Sequence, residues 1–201
     1  MKRLLVTTAI LASLATTATA KEGDWLLRAR AIDVMPDESA TVTVIGGGVD
    51  AGNNIVPELD ISYFFTDNIA AELIAATSNH NVHATAGGLD LGDVWALPPT
   101  LTLQYHFVND TAFKPYVGAG INYTYFYNAH AGSSITDIEY NGSVGPALQA
   151  GMDYKLDDKY SLNLDVKKIW MNTDVKINGG AIRADVDLNP WVIGVGVGYT
   201  F

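Results

Sequence analysis

Asn54-Ile55-Val56-Pro57-Glu58-Leu59-Asp60-Ile61-Ser62-Tyr63 is the stretch that decides the fold. Ile55, Pro57, Leu59, Ile61 and Tyr63 fall on one side of an extended chain, and Val56, Glu58, Asp60 and Ser62 on the other. A period of two marks a strand with one apolar and one polar face.

The same alternation recurs outward in both directions. It is clear in Leu97–Phe107, Phe113–Tyr127, Val144–Tyr154, Tyr160–Trp170 and Trp191–Phe201. It is less regular in Trp25–Val34, where Arg28 and Arg30 share the polar face, and in Ile69–Thr77, where Glu72 does. Eight strands of about ten residues match the length of tilted membrane strands. Thr66-Asp67-Asn68, Asn109-Asp110-Thr111 and Asp157-Asp158-Lys159 are tight polar turns. The four other connections, Met35–Asn53, Ser78–Ala96, Asn128–Gly142 and Asn172–Asp187, are long. Strict alternation of short and long connections predicts an all-β, eight-stranded antiparallel transmembrane β-barrel with up-and-down order. Turns then face the periplasm, loops face outside, and both termini lie in the periplasm.

Aromatic placement gives an independent test. On the apolar faces Tyr63, Tyr105, Phe113, Tyr154, Tyr160 and Tyr199 sit near the turn ends, and Tyr123, Tyr125, Trp170 and Trp191 near the loop ends. Two girdles suit two membrane interfaces. A soluble barrel would instead turn its apolar face inward around a wide cavity.

The N-terminus carries Met1-Lys2-Arg3, an apolar run from Leu4 to about Leu14 and the small-residue end Ala18-Thr19-Ala20. This is the pattern of a cleaved secretory signal peptide, residues 1–20, ahead of a barrel over 21–201. The precursor has net charge −10, from 12 Lys and Arg against 22 Asp and Glu; loss of Lys2 and Arg3 leaves 10 against 22, or −12. That acidity excludes nucleic acid as a partner. With no cysteine there is no thiol or disulfide chemistry.

The chain resembles the OmpW family of small outer-membrane proteins along its whole mature length. The resemblance rests on Gly23-Asp24-Trp25 with Arg28-Ala29, Thr66-Asp67-Asn68-Ile69 with Ala71-Glu72-Leu73, Leu97-Pro98-Pro99-Thr100-Leu101 and Pro115-Tyr116-Val117-Gly118-Ala119-Gly120-Ile121-Asn122-Tyr123. Asn189-Pro190-Trp191 and Gly198-Tyr199-Thr200-Phe201 complete it. It implies a bacterial outer-membrane barrel with a hydrophobic channel that admits small apolar solutes; some members serve as bacteriocin receptors. Phe201, with Tyr199 two residues before it, resembles the signal read by the barrel-assembly machinery.

An eight-stranded barrel is only wide enough for side chains or one small ligand. Arg28, Arg30, Glu58, Asp60 and Glu72 lie on neighbouring strands, so cross-strand ion pairs are expected, forming a charged plug toward the periplasmic half; a charge-selective filter is the other reading. Ile74, Ile169 and Met171 face inward nearer the loops and suit an apolar funnel. Lys167, also inward, departs from a fully apolar constriction. Proline cannot donate to a sheet ladder, so Pro98 and Pro99 predict a lateral gap beside the third or fourth strand.

His80 and His83 stand three apart without an evident carboxylate or Cys partner, so no metal is expected. Gly194, Gly196 and Gly198 precede no helix; they leave lumen space for bulky side chains opposite. His106 reads as a satisfied interior histidine. Gly46-Gly47-Gly48 and Gly87-Gly88 read as flexible loop tips. The sequence points to no cofactor and offers no catalytic residue. The leading function is passive entry of small hydrophobic molecules. A structural or receptor barrel of bacteriocin or phage type, with a closed ion-paired lumen, is the alternative. A lipid-modifying enzyme would need a nucleophile and base at the outer rim. Partners expected are outer-membrane lipids including lipopolysaccharide, the assembly machinery and small apolar solutes.

Overall fold

The structure, a computed structural model, describes residues 20–42, 48–85 and 89–201. The signal-peptide region up to residue 19, and Gly46, Gly47, Gly87 and Gly88, lie outside the described residues. Eight strands form the barrel: β1 (Trp25–Met35), β2 (Asn54–Phe64), β3 (Ile69–Ala76), β4 (Thr100–His106), β5 (Phe113–Ala131), β6 (Ser143–Lys155), β7 (Tyr160–Ile169) and β8 (Trp191–Thr200). Each pairs antiparallel with its neighbour in sequence, and β1 pairs with β8 from Leu26↔Thr200 to Met35↔Trp191, closing the ring. Closure removes the edges of the barrel sheet, which is what a strand protein needs in a bilayer.

The barrel is apolar outside and charged inside. Ile55 is 75 % exposed and Val144 64 %, whereas Arg28, Glu72 and Asp165 are 0 % exposed. In water such an outer surface would be a large uncovered apolar patch; in lipid it is the expected one. This excludes the soluble barrel with an apolar cavity throughout. Ring pairs mark the two interfaces. At the turn end Trp25 and Tyr63 approach to 4.8 Å between centroids, Phe113 and Tyr154 to 4.9 Å, and Tyr160 and Tyr199 to 5.1 Å. At the loop end Trp95 and Tyr127 lie 6.1 Å apart, and Lys168 Nζ sits 5.0 Å over Trp191.

The long connections contain more strand than the sequence reading gave them. Ser78–Ala84 and Leu89–Leu97 form a hairpin that pairs with Val49–Ala51 and with the upper part of β5, which runs on to Ala131 rather than stopping at Tyr127. Ile138–Tyr140, Asn172–Ile177, Ile182–Asp187 and Ser39–Val42 make a second sheet. Leu97, expected to open the fourth barrel strand, ends the loop hairpin instead. The two extensions face each other across an apolar core that includes Val82, Val94, Val175, Ile177 and Val186. Each extension has a single apolar face, and burying those faces against one another orders them.

Candidate functional site: a plugged lumen beneath an apolar chamber

The lower lumen is filled by an ionic network. Its centre is Arg28, whose side chain is fully buried. Arg28 Nη1 donates to Glu72 Oε1 (3.0 Å), Ser62 Oγ (3.2 Å) and Asp60 Oδ1 (3.3 Å). Its Nε and Nη2 donate to the two oxygens of Asp153 at 3.1 and 2.7 Å. Arg30 donates to Asn163 Oδ1 (2.7 Å), Glu58 Oε1 (2.8 Å) and Glu72 Oε1 (3.2 Å), and pairs with Asp60 Oδ2 at 3.0 Å. Glu72 Oε2 accepts from Gln104 and Gln149, each at 2.8 Å. Lys167 Nζ donates to Glu58 (2.8 Å) and pairs with Asp165 (2.7 Å). A buried charge costs several kcal/mol unless paired and hydrogen-bonded, and each of these cations has at least two carboxylate partners.

Strands β1 to β7 supply that network, and β8 supplies room for it. The β1–β8 register sets Arg28 against Gly198, Arg30 against Gly196 and Ile32 against Gly194. A Cβ at Gly194 would stand 2.9 Å from Ile32 Cγ2 and 3.3 Å from Arg30 Cδ. Tyr116 joins the network through its hydroxyl, which donates to Asp165 and accepts from Asn163 and Arg30. Arg28 Cζ lies 5.0 Å from its ring centroid, and the His106 ring stacks on it at 5.0 Å. His106 Nε2 donates to Gln104 Oε1 at 2.9 Å, so this histidine is held by the interior.

Above the network the lumen opens into an apolar chamber of about 110 Å³. Ile32, Ile169, Met171 and Val192, which cluster with Ala147, form its lower wall, and the loop sheets continue the wall upward. Ile74 lines the same chamber, and Glu58 and Lys167 form its base. The barrel ladder in this wall is interrupted between β3 and β4. β3 and β4 pair from Ile69↔Tyr105 to Ile74↔Thr100, and pairing resumes at Ser78↔Ala96 in the same register. Between these pairs Ala75 to Thr77 face Leu97 to Pro99 without a backbone ladder, bridged by Thr77 Oγ1 donating to Ala96 O at 3.2 Å. On its other side the proline segment stays laced to β5: Tyr123 N donates to Pro99 O at 3.0 Å and Asn122 Nδ2 to Pro98 O at 3.1 Å. Pro98 removes the donor that would face β3, while the main chain of Pro99 faces β5.

The sequence model of the OmpW family matches residues 21–201. The chain belongs to the OmpW family. Outer membrane protein W of Escherichia coli is 39 % identical, with all of both chains covered. An outer-membrane protein of Sinorhizobium fredii, y4mB, is 46 % identical over 88 % of this chain and 80 % of its own. The crystal structure of OprG from Pseudomonas aeruginosa superimposes with a TM-score of 0.84 at 32 % identity, covering 90 % of this chain and 97 % of that one. This OmpW-family barrel is therefore an outer-membrane protein.

In this member of the family Arg28, Arg30, Glu58, Asp60, Glu72 and Lys167 all meet in one network. Lys167, which stood out from an apolar constriction in the sequence, bends into the ionic base. Ile169 and Met171 share a cluster, and Ile74 lines the same chamber from another strand. Sequence reasoning did not single out Asp153, Asp165, Asn163, Gln104, Gln149 and Tyr116. All occupy inward positions of the period-two pattern, so the signal was the polar face itself rather than any motif. His80 and His83 lie on one strand three apart and so point to opposite faces: His80 lines the chamber and His83 is exposed. They cannot chelate one ion together.

Proposed function

We propose that this barrel is a passive entry route for small hydrophobic molecules. A solute enters the chamber from the loop side, is stopped at Glu58 and Lys167, and leaves sideways into the membrane between β3 and β4 beside Pro98 and Pro99. The observation that carries this reading is the coincidence of two features. The chamber wall includes Ala76 and Pro98, and those residues lie where the β3–β4 ladder is missing. Continuing downward would require a solute to disrupt a network of buried ion pairs, at several kcal/mol for each separated charge. The flanking Ala75 and Ala76 present little bulk, and an apolar solute leaving there meets hydrocarbon rather than water.

In this reading the turns and both chain ends face the periplasm, residues 1–20 are removed on export, and Tyr199 and Phe201 are read during assembly. Lipopolysaccharide surrounds the loop end. A receptor or structural barrel is the second reading, favoured by the closed lower lumen.

The test is uptake into vesicles with a lipopolysaccharide outer leaflet and a phospholipid inner leaflet, with protein-free vesicles subtracted. An n-alkane should enter and a charged solute of similar size should not. Replacing Pro98 and Pro99 together by valine restores one donor facing β3, at position 98, and one facing β5, and alkane entry should fall severalfold. Entry unchanged by that substitution sinks the lateral route, and equal exclusion of both solutes by the wild-type protein sinks the channel.

A further inference from the structure

The gap between β3 and β4 carries a fastening on its outer side. Thr77 Oγ1 and the Tyr127 hydroxyl stand 2.6 Å apart. The direction of this bond follows from a second one. Thr77 has one hydroxyl hydrogen and gives it to Ala96 O at 3.2 Å, and a carbonyl can only accept. Tyr127 is therefore the donor in the short bond and Thr77 its acceptor.

The two residues do not lie on adjacent strands. Tyr127, on the upper part of β5, pairs with Trp95 of the loop strand Leu89–Leu97. Thr77 precedes Ser78, which pairs with Ala96 from the other side of that strand. Neighbouring strands run about 4.8 Å apart, so the bond bridges two spacings, roughly 9.6 Å. An outstretched tyrosine meeting a threonine hydroxyl covers that distance only by lying across the strand between them. Tyr127 is accordingly half-buried, although Thr77 is exposed. Its ring is held in place by Trp95, 6.1 Å away, and by a nearly parallel Tyr125 at 6.2 Å.

The strand beneath the ring runs directly into Pro98. Its inner face belongs to the chamber, since Ala96 and Phe126 line the wall there. On the β5 side the proline segment is held by Tyr123 N and Asn122 Nδ2. On the β3 side Thr77 makes the bridge, donating to Ala96 and accepting from Tyr127.

We propose that Tyr127 is a strap over the lateral opening. Its bond to Thr77 holds the end of β3 against the proline segment, and release of that bond lets the chamber open toward the membrane. The inference rests on the lateral route above and names the residue that controls it. A solute that widens the gap draws Thr77 away from Ala96 and breaks both bonds. The Tyr127 ring stays on Trp95 and Tyr125, so the same donor is in place when the gap closes. Ladders on either side, Ile74↔Thr100 below and Ser78↔Ala96 above, keep the opening local.

Two near-isosteric variants test the strap. Tyr127→Phe removes the donor and keeps the ring, and Thr77→Val removes both bridging bonds and keeps the shape. In the vesicles described above, n-octane entry should rise about two- to tenfold in Tyr127→Phe, the span of one net hydrogen bond, and should rise further in Thr77→Val. Tetraethylammonium should stay excluded, because neither change touches the ionic network. Entry of both solutes raised together would mark a general loosening of the barrel and overturn the strap. Unchanged n-octane entry in both variants, with Pro98→Val/Pro99→Val still slowing it, overturns the strap and leaves the lateral route standing. Entry that responds to none of these substitutions overturns route and strap together, and exclusion of n-octane by the wild-type protein overturns the channel as well.

Discussion

Arg28 on the first strand and Asp153 on the sixth grip each other through the lumen, Nη2 to Oδ2 at 2.7 Å and Nε to Oδ1 at 3.1 Å. The pair is bidentate, the geometry in which arginine and carboxylate interact most strongly. It ties together strands that share no backbone ladder, so it acts as a strut across the closed ring.

Removing one partner of such a pair strands a buried charge. Arg28→Ala should destabilise the barrel by about 3–5 kcal/mol, because Asp60, Glu72 and Asp153 lose a shared cation at once. Asp153→Asn keeps a hydrogen-bond acceptor and should cost less. Urea unfolding in detergent, read by the gel-mobility difference between folded and unfolded barrel, gives both values. An Arg28→Ala midpoint equal to wild type would show that the strut is dispensable.

The packing of Tyr116 against Arg28 depends on a residue with no side chain. A Cβ at Gly151 would run into the Tyr116 hydroxyl and ring and stand 2.8 Å from Leu164 O. Tyr116 in turn donates to Asp165 at 2.7 Å and cannot retreat without breaking that bond. Gly151→Ala should cost about 1–3 kcal/mol as overpacking. Combined with Tyr116→Phe, the loss should be smaller than the sum of the two single losses, because the two positions contend for the same space. Strict additivity of the three unfolding free energies would refute that coupling.

His80 gives the loop hairpin a pH dependence whose sign is fixed. Burial lowers its pKa in the folded hairpin, although the bond to Gly52 O opposes this. The unfolded value is about 6.5. At lower pH the opened hairpin therefore binds the proton more readily than the closed one, and opening is favoured. Stability contributed by neutral His80 is fully present above about pH 6.5 and is lost as pH falls from there through the folded value. Hydrogen exchange of the Ser78–Ala84 amides, corrected for the intrinsic rate, should show less protection at pH 5 than at pH 7.5. His80→Gln should abolish that difference; its persistence would assign the effect to another group.

The sequence by itself determined the strands and their inner and outer faces. Side-chain direction in a strand alternates locally, so Leu59 against Asp60, or Tyr105 against Gln104, discloses the two environments without any knowledge of neighbours. The same logic, with the spacing of turns and loops, carried the eight-strand count, the two aromatic girdles and the inward set from which the plug is built. The missing donors of Pro98 and Pro99 were equally local, and so was the expectation of a weakened ladder.

Tertiary structure decided the rest. Asp60, beside Arg28 in the β1–β2 register, was the partner legible in the chain, while Asp153 became one only through closure, which brings the far side of the ring within reach of a long side chain. Lys167 reads as an intruder in an apolar funnel until that closure sets Glu58 beside it; Asp165, two residues earlier on the same strand, already shares its face. The loop strands escaped detection for a related reason. Val82, Val175 and Val186 have apolar faces too short to declare themselves alone, and they become a chamber wall because two sheets bury those faces against each other. Alternation is written in the backbone, whereas the partner across a lumen is set by the size and stagger of the closed barrel.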